Sequence, residues 1–389
     1  MQIVKIAMAR IWWCFHLCDW AAQFSSAEFA NAYISGMPTR KTTQPTVDDV
    51  AREAQVSTAT VSRALNQPDA VREPLRARVQ AAITRLGYVP HAGARALKLQ
   101  RSGTIGAVFP TVDNAIFAKA IDALQRRLGE AGYQLLIATC DYDPKTEEEQ
   151  AMHLLTRGAD GLVLCGTSQR PSLLQRLDGR SVPVVHVMSW PAPPGLVCVG
   201  FDSARAMKQA TRYLLDLGHR RIAMLAGITR DNDRAAARVR GVREALADAG
   251  LTLPAERLVE RRYGLAAARE GLRRLLDAEP APTAVVCGND VLAFGALLEA
   301  QRLGLAVPQQ LSIVGFDDLE LASHIQPALT TVHVPADEMW RCAAERLIAW
   351  LRGEEVPRET EIEVGLVVRG STGPPPRSDR RRRDPAARA

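Results

Sequence analysis

Short hydroxyl side chains, an alanine and an arginine fall on one face of a helix predicted over residues 58–66. Helical spacing places Thr58, Ala59, Ser62 and Arg63 side by side. A short helix that exposes small, hydroxyl and arginine side chains near its N-terminus has the size and the hydrogen-bonding groups to enter the major groove of DNA. The pattern therefore favours a base-reading helix, and the alternative is the solvated face of a small helical bundle.

The flanking sequence supplies the elements that position this helix. Thr46 caps a helix over residues 47–54, and Ser57 caps the second helix after a tight turn. A third helix over residues 73–86 closes the bundle and ends before a glycine. This order predicts a helix-turn-helix whose interior is formed by Val50, Ala54, Val56, Val61 and Leu65.

From Thr104 onward, apolar strand-like runs alternate with amphipathic helical runs. Such alternation predicts parallel sheets covered by helices on both faces. Roughly ten units exceed one sheet of ordinary size, so we expect two α/β subdomains. The predicted strands are Thr104–Pro110, Gln134–Cys140, Gly161–Gly166, Pro183–Met188, Cys198–Asp202, Arg221–Gly227, Ala284–Asn289 and Leu311–Asp317.

Positive charge is concentrated outside this α/β region. Residues 37–101 hold 11 Lys and Arg against 5 Asp and Glu, within a chain of net charge +6. The Pro- and Arg-rich residues 373–389 lack an apolar pattern, and we expect them to form a disordered basic tail. A small basic module attached to a larger body suits contact with a polyanion.

The segments TVDDVAREAQVSTATVSRALNQPDAV and RVQAAITRLGYVPHAGARALK resemble the head of the LacI/GalR family of bacterial regulators. The resemblance spans residues 46–372. It implies an α/β fold with a small all-α helix-turn-helix head over residues 45–90 and a two-lobed body like periplasmic binding proteins over residues 102–372. The body would bind an effector and form a homodimer. One departure is Gln55, where the family usually has glycine; a left-handed turn there would cost about 1 kcal/mol.

The resemblance implies a regulator, by preference a repressor, that binds a pseudo-palindromic operator in double-stranded DNA. Thr58 and Ala59 would read bases, and Arg63 would contact a base or a phosphate. The remaining DNA-binding residues of the head would be Thr46, Ser57, Thr60, Ser62 and Asn66, most of them on phosphates.

Residues 91–101 match the hinge helix of the family, and an ordinary linker is the alternative reading. The hinge would fold on operator DNA, where Leu97 would wedge between base pairs in the minor groove. Arg95 and Lys98 would contact phosphates or groove edges.

A sugar or sugar acid is the implied effector, bound between the lobes at the carboxyl ends of strands. By family position, the residues lining the pocket would be Asn114, Phe117, Arg240, Asn289 and Asp317. Trp190 is a further candidate, as a platform for a sugar ring, although a core tryptophan is the alternative. The segments PTVDNAIFA and VGFDS resemble the gluconate-repressor branch, which would make Arg240 the partner of an aldonate carboxylate.

Other classes of protein fit the sequence less well. The chain lacks GxGxxG after a strand, GxxxxGK[ST] and GxSxG, so we expect neither an enzyme nor a cofactor. Its seven cysteines form no CxxC motif, which argues against a metal site. Residues 1–36 read as an extension without a role in the fold, and a signal peptide is the alternative. We expect a cytoplasmic protein that does not bind membranes.

Overall fold

The computed structural model describes residues 45–89 and 101–376. The chain divides into two compact units, residues 1–91 and residues 92–389. We call the described parts of these units the head and the body. The predicted extension, the hinge residues Arg95, Leu97 and Lys98, and residues 377–389 of the predicted tail lie outside the described residues.

The head is a bundle of three helices, as predicted. They are α1 (Val47–Ala54), α2 (Thr58–Asn66) and α3 (Glu73–Leu86), with a 3-10 turn at Pro68–Ala70. The turn between α1 and α2 contains Gln55 in the left-handed conformation, at φ 51° and ψ 50°. The predicted interior is confirmed, because Val50, Ala54 and Val61 are buried and Val56 and Leu65 pack against them.

The body contains two sheets of six strands each. In the first sheet the strand order is β11-β5-β4-β3-β1-β2, and in the second it is β12-β10-β9-β8-β6-β7. Each sheet defines one lobe. The strands are β1 (Thr104–Phe109), β2 (Gln134–Thr139), β3 (Gly161–Cys165), β4 (Val184–Val187), β5 (Val197–Gly200), β6 (Ile222–Gly227), β7 (Leu258–Arg261), β8 (Ala284–Cys287), β9 (Ser312–Asp317), β10 (Thr330–His333), β11 (Glu359–Glu361) and β12 (Gly365–Val367).

Helices cover both faces of these sheets, which confirms the predicted α/β class. They are α4 (Ala115–Glu130), α5 (Pro144–Thr156), α6 (Pro171–Asp178), α7 (Ser203–Asp216), α8 (Asp233–Asp248), α9 (Leu265–Leu276), α10 (Asp290–Arg302), α11 (Leu321–His324) and α12 (Ala336–Leu351). Buried Val, Leu and Ile side chains of the strands fill the space between sheet and helices.

The chain crosses between the lobes three times. The first crossing follows β5, the second lies between β10 and α12, and the third joins β11 to β12. The pairings are parallel except for β10 with β12 at one edge of the second sheet. Two parallel sheets joined in this way bring the carboxyl ends of their strands toward the same cleft, where ligands of open α/β sheets bind.

Candidate DNA-binding surface and ligand cavities

The N-terminus of α1 is fixed by a reciprocal cap. The Thr46 hydroxyl oxygen accepts the Asp49 N–H at 3.3 Å, and the Asp49 carboxylate accepts the Thr46 N–H at 2.9 Å. The hydrogen bonds from the backbone and side chain of Thr46 lower the pKa of Asp49. The Thr46 side chain, predicted to contact DNA, is therefore engaged in capping within the protein.

The N-terminus of α2 is capped in a similar way by Ser57. Its hydroxyl oxygen accepts the Thr60 N–H at 3.2 Å, and the two hydroxyl oxygens lie 2.9 Å apart. Thr58, Ala59 and Arg63 are exposed on this helix. Arg63 forms no ion pair with any described residue, which leaves its guanidinium available to an external partner. Ser62 is half-buried.

In the body, one small cavity lies between the lobes; we call it the Arg238 cavity. It brings together four of the predicted pocket residues, Asn114, Phe117, Asn289 and Asp317. Its free volume is about 20 Å³, room for roughly one water molecule. Its walls also contain residues that were not predicted, namely Ile116, Tyr142, Met188, Asn232, Arg234, Arg238 and Tyr263.

Arg238 is a buried cation in the wall of this cavity and is only 5% exposed. One terminal nitrogen donates to the Gly288 carbonyl oxygen at 2.7 Å, and the other lies 3.7 Å from the Asp317 Oδ1 atom. The guanidinium carbon lies 3.9 Å from the ring centroid of Phe316. The Arg238 Nε atom and the Asp317 Oδ1 atom have no hydrogen-bond partner. A charged donor and a charged acceptor are therefore available side by side in a water-poor cleft.

Asp317 occupies a strained position at the end of β9. Its φ angle is 115°, a backbone conformation that residues other than glycine rarely adopt. Burial raises the pKa of Asp317 to about 6, against the opposing effect of Arg238. Burial also raises the pKa of the adjacent Asp290 to about 7, and the charge of Asp317 adds to that rise. Like charges in a buried cleft favour protonation of one of them near neutral pH.

Two asparagines hold the helices at the edge of the Arg238 cavity. The Asn114 Oδ1 atom caps α4 by accepting the Ile116 N–H at 3.3 Å, and the Asn289 Oδ1 atom caps α10 by accepting the Leu292 N–H at 3.0 Å. Each cap uses the amide oxygen and leaves the amide nitrogen as a donor. These side chains therefore combine a structural role with the capacity to bind a hydroxyl oxygen.

Arg234 is the second buried arginine on this face of α8. Its guanidinium donates to Asp233 at 3.2 Å. A side chain on Gly166, which has φ +78°, would lie 1.7 Å from an Arg234 nitrogen, so the arginine requires glycine there. Asp233 in turn accepts hydrogen bonds from Ser189 and Thr167 of the first lobe at 2.7–2.9 Å. The start of α8 thus ties the two lobes together.

The prediction that Arg240 lines the same pocket as Asn114 and Asp317 is wrong. Arg240 is exposed and pairs with Glu244 of its own helix at 3.6 Å. Residues 238 and 240 of a helix point about 200° apart, so only one of them can face the cavity. The sequence did contain the signal: Arg234 and Arg238 are four residues apart and share a face. Trp190, with Arg240, lines a neighbouring cavity instead.

Within residues 45–89 and 101–376, no three His, Cys, Asp or Glu side chains are grouped so as to hold a metal ion. None of the helices in the same ranges combines the length and apolar character needed to cross a bilayer. Asp202 caps α7 by accepting the N–H groups of Ala204 and Arg205.

Comparison with known families and structures matches both units. Residues 46–91 match the family described as bacterial regulatory proteins, lacI family. Residues 102–369 match the periplasmic binding proteins and sugar binding domain of the LacI family.

Individual relatives are also transcriptional regulators, and the chain matches them over nearly their full length. The HTH-type transcriptional regulator GntR of Escherichia coli strain K12 is 34% identical over 332 residues, which cover 85% of this chain and 99% of that protein. A transcriptional regulator CelR–cellobiose complex is 30% identical with a TM-score of 0.63, covering 84% of this chain and 99% of that one. The lac repressor dimer bound to operator and the anti-inducer ONPF is 25% identical with a TM-score of 0.75, covering 85% and 99%.

Proposed function

The chain belongs to the LacI family of bacterial regulatory proteins, and on that premise we propose that it is a transcriptional repressor controlled by a sugar acid. It binds a pseudo-palindromic operator as a homodimer, and a gluconate-like effector binds in the Arg238 cavity. It has no catalytic role and acts in the cytoplasm, where its DNA target lies.

The exposed N-terminal end of α2 supports the DNA-binding part of this proposal. Thr58 and Ala59 present small side chains, and Arg63 presents a guanidinium that pairs with nothing among the described residues. Arginine can bind guanine bidentately in the major groove. The lac repressor, which shares the fold, is described as a dimer bound to operator.

The pair of buried arginines carries the proposal that the effector is an acid. Arg234 and Arg238 both face the cavity and stay charged at any physiological pH. Among the described residues that line the cavity, Asp317 is the only acid, so the lining residues contribute two positive charges and one negative charge. The cavity therefore carries excess positive charge, which favours an anionic ligand.

The remaining polar groups suit the hydroxyls of a sugar chain. Asn114 and Asn289 each retain an amide donor, and Asp317 retains an oxygen without a partner. Since the free volume admits only about one water molecule, an aldonate enters after the lobes separate or wall side chains rotate. Effector binding is thereby coupled to lobe arrangement, and through linkage to operator affinity.

The test measures both ligands on the full-length protein. Isothermal titration with D-gluconate, D-glucose and D-glucitol compares an acid with neutral compounds of the same carbon number. We expect gluconate alone to bind in the Arg238 cavity, and R238Q should raise its Kd roughly 10- to 150-fold. Selection from a random DNA library should enrich an inverted repeat, and added gluconate should change its affinity. Glucose binding that R238Q weakens as much as gluconate binding would contradict the acid assignment. Enriched sequences that contain no inverted repeat would contradict binding of the operator by a dimer.

A further inference from the structure

A second cavity, which we call the Trp190 cavity, lies next to the Arg238 cavity. Met188 and Arg234 form walls of both. Its free volume is about 190 Å³, against about 20 Å³ for the Arg238 cavity. Its walls come from the carboxyl ends of β3, β4 and β5 in the first lobe and from the start of α8 in the second. Strand ends of this kind are where α/β proteins bind ligands.

One buried hydroxyl in the wall of this cavity has no partner. Ser203 is 5% exposed, and its Oγ atom makes no hydrogen bond. A buried hydroxyl without a partner is costly, and such groups in native proteins usually bind something. Asp233, in the same wall, is by contrast fully engaged with Thr167, Ser189 and Arg234. The Ser203 hydroxyl is therefore available to hydrogen-bond a ligand in this cavity.

Trp190 supplies an aromatic surface to the same cavity. The Arg205 guanidinium lies 5.3 Å from the ring centroid of Trp190 and is ion-paired with Glu361. Arg205 is not part of the cavity wall, so this cation–π contact holds the indole in place without filling the cavity. The indole is thus a fixed apolar platform.

The charges around the Trp190 cavity are balanced, unlike those of the Arg238 cavity. Arg234 and Arg240 contribute two positive charges, and Asp202 and Asp233 contribute two negative charges. An aromatic platform with a hydroxyl, a guanidinium and a carboxylate around it can bind the apolar face and the hydroxyls of one ring. Balanced charge favours a neutral ring over an acid.

We propose that the Trp190 cavity is a second carbohydrate site, which takes a neutral monosaccharide and does not compete with the effector in the Arg238 cavity. Trp190 stacks on the ring, and Ser203 and Arg240 bind its hydroxyls. This proposal goes beyond the proposed function and stands independently of the identity of the effector. Because both lobes contribute walls, occupancy of the site also biases their arrangement.

The experiment titrates D-glucose, D-galactose and D-xylose separately into the full-length protein, by calorimetry and by saturation-transfer NMR, with and without saturating D-gluconate. At least one sugar should bind, and gluconate should not displace it. Trp190→Ala should weaken sugar binding about tenfold or more, while Trp190→Phe should retain most of it. Gluconate affinity should stay within about threefold in both variants.

Two further variants keep the test decisive if Trp190→Ala does not fold. Ser203→Ala removes the unpaired hydroxyl without adding volume, and Arg240→Gln removes the guanidinium from an exposed position. Each should weaken sugar binding several-fold. The proposal fails if none of the three sugars binds, if gluconate displaces the bound sugar, or if these variants bind it unchanged. If gluconate binds and none of the three neutral sugars does, only the second site is refuted. If a neutral sugar binds and gluconate does not, only the proposed effector is refuted.

Discussion

Replacing Arg238 by glutamine tests the assignment of the effector cavity most directly. The guanidinium donates to the Gly288 carbonyl oxygen at 2.7 Å, lies 3.7 Å from the Asp317 carboxylate and keeps its Nε atom without a partner. An aldonate carboxylate bound by this group would gain a charge-assisted hydrogen bond, which contributes about 1.5–3 kcal/mol. Loss of that bond corresponds to a rise in Kd for gluconate of roughly 10- to 150-fold.

The same helix provides the comparisons. Arg240→Gln removes the arginine that sequence reasoning placed in this pocket, and Arg243→Gln removes an exposed arginine one helical turn further on. Both should leave the Kd for gluconate within about twofold, because neither side chain lines the Arg238 cavity. Arg238→Lys keeps the charge but loses the planar fork, so we expect an intermediate loss.

Calorimetric titration with gluconate measures the effect, and thermal unfolding shows whether each variant is folded. Arg238→Gln should also lower the thermal midpoint, because it leaves the buried Asp317 carboxylate without a counter-charge. A folded Arg238→Gln protein that binds gluconate as well as the unmodified protein would refute the assignment. So would an Arg240→Gln protein that loses binding to the extent expected for Arg238→Gln.

Three further predictions concern the head and the buried acids. Arg63→Ala should weaken operator binding roughly 30-fold or more, since both copies in a dimer lose a contact, with gluconate affinity unchanged; an unaltered gel-shift or anisotropy titration would contradict this. Gln55→Gly should stabilise the head by up to about 1 kcal/mol, because residue 55 has φ 51°, and calorimetry should show its unfolding at a higher temperature. The pKa of Asp290 is about 7 in the native state instead of 3.8. Between these pH values the native state keeps the proton and the unfolded chain loses it. The free energy of unfolding should therefore fall by up to about 4 kcal/mol as pH rises from about 4 to 7. The uncharged Asp290→Asn variant does not lose stability in this way. The difference in thermal midpoint between the unmodified protein and this variant should therefore shrink from pH 5 to pH 8, and a constant difference would count against the raised pKa.

Most of the head follows from local signals. Thr46 and Ser57 cap the two helices at the positions that the sequence indicated, and the left-handed turn falls on Gln55. Caps, turn residues and the helical period act over a few residues, so neighbouring side chains suffice to read them. Seven of the eight predicted strands are buried along almost their whole length, and strands buried on both faces form continuous apolar runs that the sequence shows directly. The eighth, β2, is exposed or half-buried throughout.

The strands that sequence reasoning missed are short or lie at sheet edges. Glu359–Glu361 and Gly365–Val367 have three residues each and little apolar character. Their conformation depends on pairing with β5 and β10, which lie more than 30 residues away in the chain. Such pairing is set by tertiary contacts, and edge strands carry only a weak local signal.

The sequence by itself determined the helix-turn-helix and the α/β alternation, because caps and apolar runs mark those elements locally. Its resemblance to a known family supplied four residues of the Arg238 cavity. Only the tertiary structure decided which face of α8 meets the cleft. It selected Arg238 and Arg234 over Arg240 and moved Trp190 into a cavity of its own. The sequence of a helix does not show which of its charged residues faces the cleft, because that depends on how the helix is rotated about its axis. Packing sets this rotation through contacts between lobes that are distant in sequence.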